Sequence, residues 1–132
     1  MGTFATLEEA KEYFMADRFA TSNGAAIDEL TETYSVCSMA VRPEHCNANG
    51  GVMGGAIFTL ADFAFAVLAN HLHRPTTGQQ AGVNFLSTPK GTRLIARAVC
   101  KKNGRSTTVI NVDVTDDTGR DVAQVVMTGF KL

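Results

Sequence analysis

The stretch that decides the fold is His45–Asn70, HCNANGGVMGGAIFTLADFAFAVLAN. Its first part, His45 to Gly55, carries four glycines and two asparagines. Glycine reaches backbone angles closed to other residues, so this part can turn sharply and bring main-chain N–H groups close to a ligand. The second part, Ala56 to Ala69, is apolar on nearly every face and too long for a buried strand, which predicts a buried helix. Only Thr59 and Asp62 interrupt it. A carboxylate in an apolar helix is costly to desolvate, so Asp62 needs a reason to be there.

On the N-terminal side, Thr6-Leu7-Glu8-Glu9 forms a capping box ahead of a short helix ending near Asp17. Ser22-Asn23-Gly24 reads as a turn, and Ala25 to Leu30 and Thr33 to Val41 read as strands ended by Pro43. On the C-terminal side, His71, His73 and Arg74 suit a helix C-terminus as cations, and Pro75 closes it. Four strand-like runs follow: Gln80 to Ser87, Leu94 to Lys102, Thr107 to Asp116 and Val122 to Lys131. Asn103-Gly104 and Asp116-Asp117-Thr118-Gly119 are hairpin signals between them. The expectation is α+β: one long helix and an antiparallel sheet of about six strands wrapped around it. Six strands cannot cover such a helix and leave no edge, so pairing between subunits is expected.

The bulk composition narrows the class. At 132 residues the chain makes one domain, 1–132. Its net charge of −1 is scattered, with no basic stripe, so no nucleic-acid partner is expected. The longest apolar run is broken by Asp62 and reads as too short to cross a bilayer, so no membrane is expected either. The N-terminus has early acidic residues and no apolar signal core. The three cysteines, Cys37, Cys46 and Cys100, lack metal-ligand spacing, so no metal is expected and the thiols read as reduced, in a cytoplasmic setting.

Among groups that could do chemistry, Asp62 has no basic residue between Arg42 and Arg74 to pair with. An apolar surround of Phe58, Phe65 and Ala66 would raise its pKa and make it a stronger base once ionised. Gly54-Gly55 is either a plain turn pair or a helix start whose free amides approach an oxyanion. Asn47 can donate to a carbonyl or close an Asx-turn. His45 and Cys46 are adjacent, and a Cys–His catalytic pair normally meets in space, not in sequence.

The pattern His45-x-Asn47, Gly50, Gly54-Gly55, Leu60-Ala61-Asp62 resembles the hotdog-fold thioesterases of the phenylacetate-pathway (PaaI-like) type, whose run is usually HxNxxGxxHGGxxxxLxD. Val41-Arg42-Pro43-Glu44 before it and Val83-Asn84-Phe85-Leu86 after it fit as well, and the likeness covers Phe19 to Phe130. The resemblance implies a long helix wrapped by a sheet, a homodimer or homotetramer, an acyl-CoA substrate and no cofactor. It places the family acid on Asp62, the asparagine on Asn47 and the oxyanion amide on Gly54, with Asp62 coming from the opposite subunit. Two departures stand out. The family histidine is Met53 here, and the Ser or Thr that relatives place near the next strand is replaced by Gly78-Gln79-Gln80, where Gln79 or Gln80 would substitute. Met53, Gly55, Phe58 and Phe65 are further substrate-binding candidates, the phenylalanines with Phe63 suiting an aryl or medium acyl chain. Lys90, Arg93, Lys101, Lys102 and Arg105 are candidates for the coenzyme's phosphates. The expected activity is acyl-CoA hydrolysis; the alternative, favoured by Met53, is an acyl-CoA-binding protein without catalysis.

Overall fold

The computed structural model describes residues 2–132. The elements run α1 (Leu7–Phe14), α2 (Arg18–Ser22), β1 (Ala26–Leu30), β2 (Tyr34–Ala40), a 3-10 turn at Pro43–His45, α3 (Gly54–Leu72), β3 (Thr76–Phe85), β4 (Arg93–Asn103), β5 (Thr107–Asp116) and β6 (Asp121–Lys131). Thr6 starts α1 as expected: its hydroxyl accepts from the Glu9 amide at 3.1 Å, and the Glu9 carboxylate takes the Ala5 amide at 2.7 Å. The five-residue α2 was not expected; five residues offer too little periodicity to read.

The six strands form one antiparallel sheet in the order β1-β2-β4-β5-β6-β3. This corrects the expectation of four strands joined in succession by hairpins. β4, β5 and β6 do follow one another as hairpins, but β3 pairs with β6 and β4 pairs with β2. The connection is forced by α3, which leaves the β2 side of the sheet and delivers the chain to its far edge. The Asn103-Gly104 signal also shifts: Asn103 is still paired, opposite Thr108, and the Gly104 amide closes the loop onto the Thr107 carbonyl at 2.8 Å.

Alternation explains how the sheet receives the helix. Ser35, Cys37 and Met39 of β2, Leu94, Ala96 and Ala98 of β4, and Ile110, Val112 and Val114 of β5 are all buried. Ala96 and Ala98 stand where α3 crosses, and small side chains let it lie close. The Ser35 hydroxyl, on the same side, donates to the Ala64 carbonyl at 2.9 Å. Burial of the Cys37 thiol pushes its pKa up, so it is an inert core group.

Phe65 has a close-fitting seat. Gly78 and Gly129 face each other across β3 and β6. A methyl group on Gly129 would stand 2.9 Å from the Phe65 ring and 2.8 Å from Thr76. Phe65 is 2 % exposed and packs over this pair. It is therefore a core residue, which corrects its place among the substrate-binding candidates: three residues from Asp62, it turns toward the sheet.

Nineteen residues long, α3 reaches the length and apolarity of a membrane span, contrary to the expectation from the broken run. Ten of its residues are buried against the protein, and it serves as the core helix. Nor does the sheet wrap it fully. Gly55, Thr59, Asp62, Ala66 and Asn70, spaced by three and four, form a stripe of small and polar residues that is only partly covered or fully open.

Candidate active site

His45 anchors the loop that leads into α3. Its Nδ1 accepts from the Arg42 amide at 3.0 Å, which leaves the ring proton on Nε2, 3.1 Å from the Asn23 carbonyl. At 2 % exposed, the ring ties the loop to the end of α2. The Cys46 thiol points to the Arg42 carbonyl, not to His45, so the two form no catalytic pair. Beyond them the chain folds back through a bridge between Cys46 and Val52, with Gly50 at φ +85° making the turn. Asn47 closes it: its Oδ1 accepts from the amides of Asn49 (2.9 Å) and Gly51 (3.2 Å). The Asx-turn is formed, and the exposed Nδ2 still has both hydrogens to donate.

Met53 is the residue before the first turn of α3, and its carbonyl accepts from Ala56 and Ile57 at 3.1 and 3.3 Å. The amides of Gly54 and Gly55 have no acceptor among the described residues. They lie at the positive end of the helix dipole. A side chain at either position would press on an exposed neighbour. A Cβ at Gly54 would come 3.0 Å from the Phe85 ring, and one at Gly55 would come 2.9 Å from the Met53 methyl.

Asp62 makes no hydrogen bond or ion pair among the described residues. It is exposed on the open stripe, which corrects the expected apolar surround: Phe65 turns away to the sheet, and Phe58 is half-buried. The protein packed around the stripe still pushes the carboxyl above the usual carboxylate range, and the negative charge of Asp17 pushes it the same way. Eight residues separate Gly54 from Asp62, about 12 Å along the axis at 1.5 Å per residue. One chain therefore cannot bring both to a single carbonyl carbon.

A cavity of about 410 Å³ opens beside the helix start. Phe19, Met39, Met53 and Ala56 give it apolar walls, and Asn23, Glu44 and Thr59 supply oxygen atoms. Gln79 and Gln80 are exposed on β3 at a bulge, where the pairing with β6 skips Gln79. Lys90 lies at the site's end of the sheet, because Phe85 and Thr88, which precede it, approach Gly54 and Gly51. Arg105 follows the other end of β4, about 33 Å away for eleven residues of strand. Lys90 and Arg105, each a separate phosphate candidate, thus stand too far apart in one chain to share one phosphate cluster. His71 is corrected too: buried, with Nδ1 accepting from the Phe4 amide at 3.3 Å and its pKa pushed down by burial, it is a neutral packing residue and no dipole-stabilising cation. Phe19 and Asn23 received no site role from the sequence, and Phe85 only a place in a matching flank. Their approach to the helix start is a property of the tertiary fold.

Comparison with known proteins places this arrangement. Residues 49–123, more than half of the chain, match the model of the thioesterase superfamily. The chain belongs to that superfamily. This thioesterase is 26 % identical to the acyl-coenzyme A thioesterase PaaI of Escherichia coli over 88 % of its own length and 84 % of the relative's. It superposes on the E. coli PaaI structure with a TM-score of 0.85, covering 96 % of each chain at 22 % identity, which shows the hotdog fold. It is 31 % identical to human acyl-coenzyme A thioesterase 13 over 67 % of its own chain and 66 % of that protein. A hypothetical thioesterase of Streptococcus pneumoniae, solved with coenzyme A, matches with a TM-score of 0.81 at 26 % identity, covering 89 % of this chain and 94 % of that one. The thioesterase is thus a PaaI-like hotdog protein.

Proposed function

We propose that the chain hydrolyses an aryl- or medium-chain acyl-CoA thioester to the free acid and CoA, in a site shared between two subunits. The observation that carries this reading is the pair of groups left without partners on α3: the Gly54 amide at its start and the Asp62 carboxylate two turns on. The about 12 Å between them supports a two-subunit site, in which Asp62 of one chain meets Asn47 and Gly54 of another. The ten-residue edge strand β3 supports the same assembly, since its outer main-chain groups are open to pairing.

In this reading the thioester carbonyl oxygen sits on the Gly54 amide, and the Asn47 Nδ2 steadies the thioester. Asp62 takes a proton from water as its oxygen attacks the carbonyl carbon. The developing oxyanion gains from the positive helix end. The intermediate collapses, the carbon–sulfur bond breaks, and CoA leaves as a thiolate. Direct attack by Asp62, giving a mixed anhydride that water then opens, uses the same atoms. The cavity beside Met53 has room for an aryl or medium acyl group, and Lys90, two residues after Thr88, is the candidate cation for a phosphate.

Thiol release over a panel of acyl-CoAs tests the activity. No release from any member, with CoA binding retained, would leave a binding protein. A single-turnover reaction in ¹⁸O-water separates the two routes, because only the anhydride route deposits label in Asp62. Sedimentation tests the shared site: a dimer or a tetramer is expected, and a monomer mass at micromolar concentration overturns it.

A further inference from the structure

Asp17 joins α1 to α2, and its backbone is held firmly. Its amide donates to the Phe14 carbonyl at 3.0 Å, and its own carbonyl accepts from the Thr21 amide at 3.1 Å and the Thr21 hydroxyl at 3.0 Å. The side chain is treated differently. Half-buried at the residue before α2, it caps no amide and makes no ion pair among the described residues. It lines a cleft of about 410 Å³ whose walls include Tyr13, Phe14 and Ala16 on its own side and Ala66 and Asn70 of α3 on the other. Ala66 is one helical turn beyond Asp62 on the open stripe. Two carboxylates without cations thus share one strip of surface.

We propose that Asp17 is a positioning residue that tunes the Asp62 base through space, the two carboxylates working as a like-charged pair along the open face of α3. The inference rests on the reading of Asp62 as the reacting carboxylate. The physical effect is repulsion: negative charge on Asp17 disfavours the ionised form of Asp62, adding to what burial does, so Asp62 holds its proton to a higher pH and is the stronger base once ionised.

Other charged groups do not take over this role. Glu44 lines the cavity at the Thr59 end of the stripe. Arg74 lies over the Tyr13 ring at the far end of α3, where His71 is buried with its pKa lowered. Beneath the helix the sheet presents Ser35, Cys37, Met39 and apolar side chains, and Asp116 at its end is enclosed by donors. Arg18 and Lys11 are exposed on α2 and α1.

The test is the pH profile of kcat/KM for acyl-CoA hydrolysis by the full-length protein and Asp17→Asn. Asparagine caps a helix start as well as aspartate, so α2 keeps its beginning. The acid limb is expected to move to lower pH, making the variant severalfold faster below the wild-type midpoint and no faster on the plateau. Added salt should move the wild-type limb the same way and the variant's much less. Asp17→Glu should keep the wild-type profile, and Asp17→Ser provides a second neutral variant should Asn fold poorly. Carboxyl ¹³C titration of Asp62, assigned with Asp62→Asn, reads the coupling without turnover. Superimposable profiles and titrations for wild type and Asp17→Asn at low salt would overturn the inference alone. Native hydrolysis by Asp62→Asn would overturn the Asp62 reading on which it stands.

Discussion

Asp62 stands among apolar neighbours in sequence and Asp116 opens a polar turn, and the protein treats the two acids in opposite ways. Asp116 ends β5, is 1 % exposed, and has its oxygens filled. Oδ2 accepts from the amides of Lys90 (2.7 Å) and Gly91 (2.9 Å). Oδ1 accepts from the Thr118 amide (2.9 Å), the Thr118 hydroxyl (2.6 Å) and the Arg120 amide (3.1 Å). Those donors, the Thr118 hydroxyl foremost, hold its carboxyl well below the usual carboxylate range. Asp62 has no such donor, and its carboxyl is held above that range. Depth alone would have chosen Asp116 as the unusual acid. Supply of donors separates them: a carboxylate with every lone pair occupied ties loops together, and one left bare keeps its lone pairs for a substrate or a proton.

The largest expected effect that tests this contrast is on hydrolysis. Asp62→Asn should lower kcat by about 10²–10⁴-fold, the usual worth of a general base. Asp116→Asn should leave the specific activity of folded protein close to native. Similar losses in both would break the contrast. Stability should reverse the order. Asp116→Asn points an NH₂ group at a ring of N–H donors and should lower Tm by several degrees, whereas Asp62→Asn should leave it equal or slightly higher, since the side chain is exposed.

The pH dependence sharpens the same point. For Asp116 the folded pKa is depressed, so its stabilisation is present above the unfolded carboxylate pKa of about 4 and is lost as pH falls through the folded value. The deficit of Asp116→Asn should therefore close on acidification. For Asp62 the folded pKa is raised, so the protonated form is favoured by folding and that contribution is lost as pH rises through the folded value. Any advantage of Asp62→Asn should open above the unfolded carboxylate pKa, reach its full size above the folded value and vanish toward acid. Two gaps of opposite sign are expected in thermal melts from pH 3 to 8. The smallest effect concerns the bare amide. If the Gly54 N–H carries the oxyanion, Met53→His should change hydrolysis only modestly at unchanged Tm. A rise from undetectable to robust turnover would show that the backbone donor is not enough.

Much of this was legible in the sequence because it rests on local rules. The apolar length of α3, the glycines opening it, the Thr6 cap and the strand alternation each depend on residues close in the chain. The sequence pattern also placed Asn47, Gly54 and Asp62 on a loop, a helix start and a helix face. Other features depend on partners far away. That Phe65 is core depends on Gly78 and Gly129, thirteen and sixty-four residues on. Asp62 loses its apolar surround because Phe65 turns to the sheet, and it acquires Asp17 because a five-residue helix folds back. Lys90 and Arg105 separate because β4 runs its full length between them. Strand spacing gives no hint that β3 would cross to pair with β6.

The glycine pair under Phe65 does more than make room. A helix on a smooth sheet could roll about its own axis with little change in contact. The Phe65 ring, seated over Gly78 and Gly129, works as a key in a keyway. Three residues amount to about −60° of rotation, so fixing the azimuth of Phe65 fixes that of Asp62 as well. The bearing of the carboxylate is thus set on the hidden side of the helix, by two hydrogen atoms standing where side chains would otherwise be.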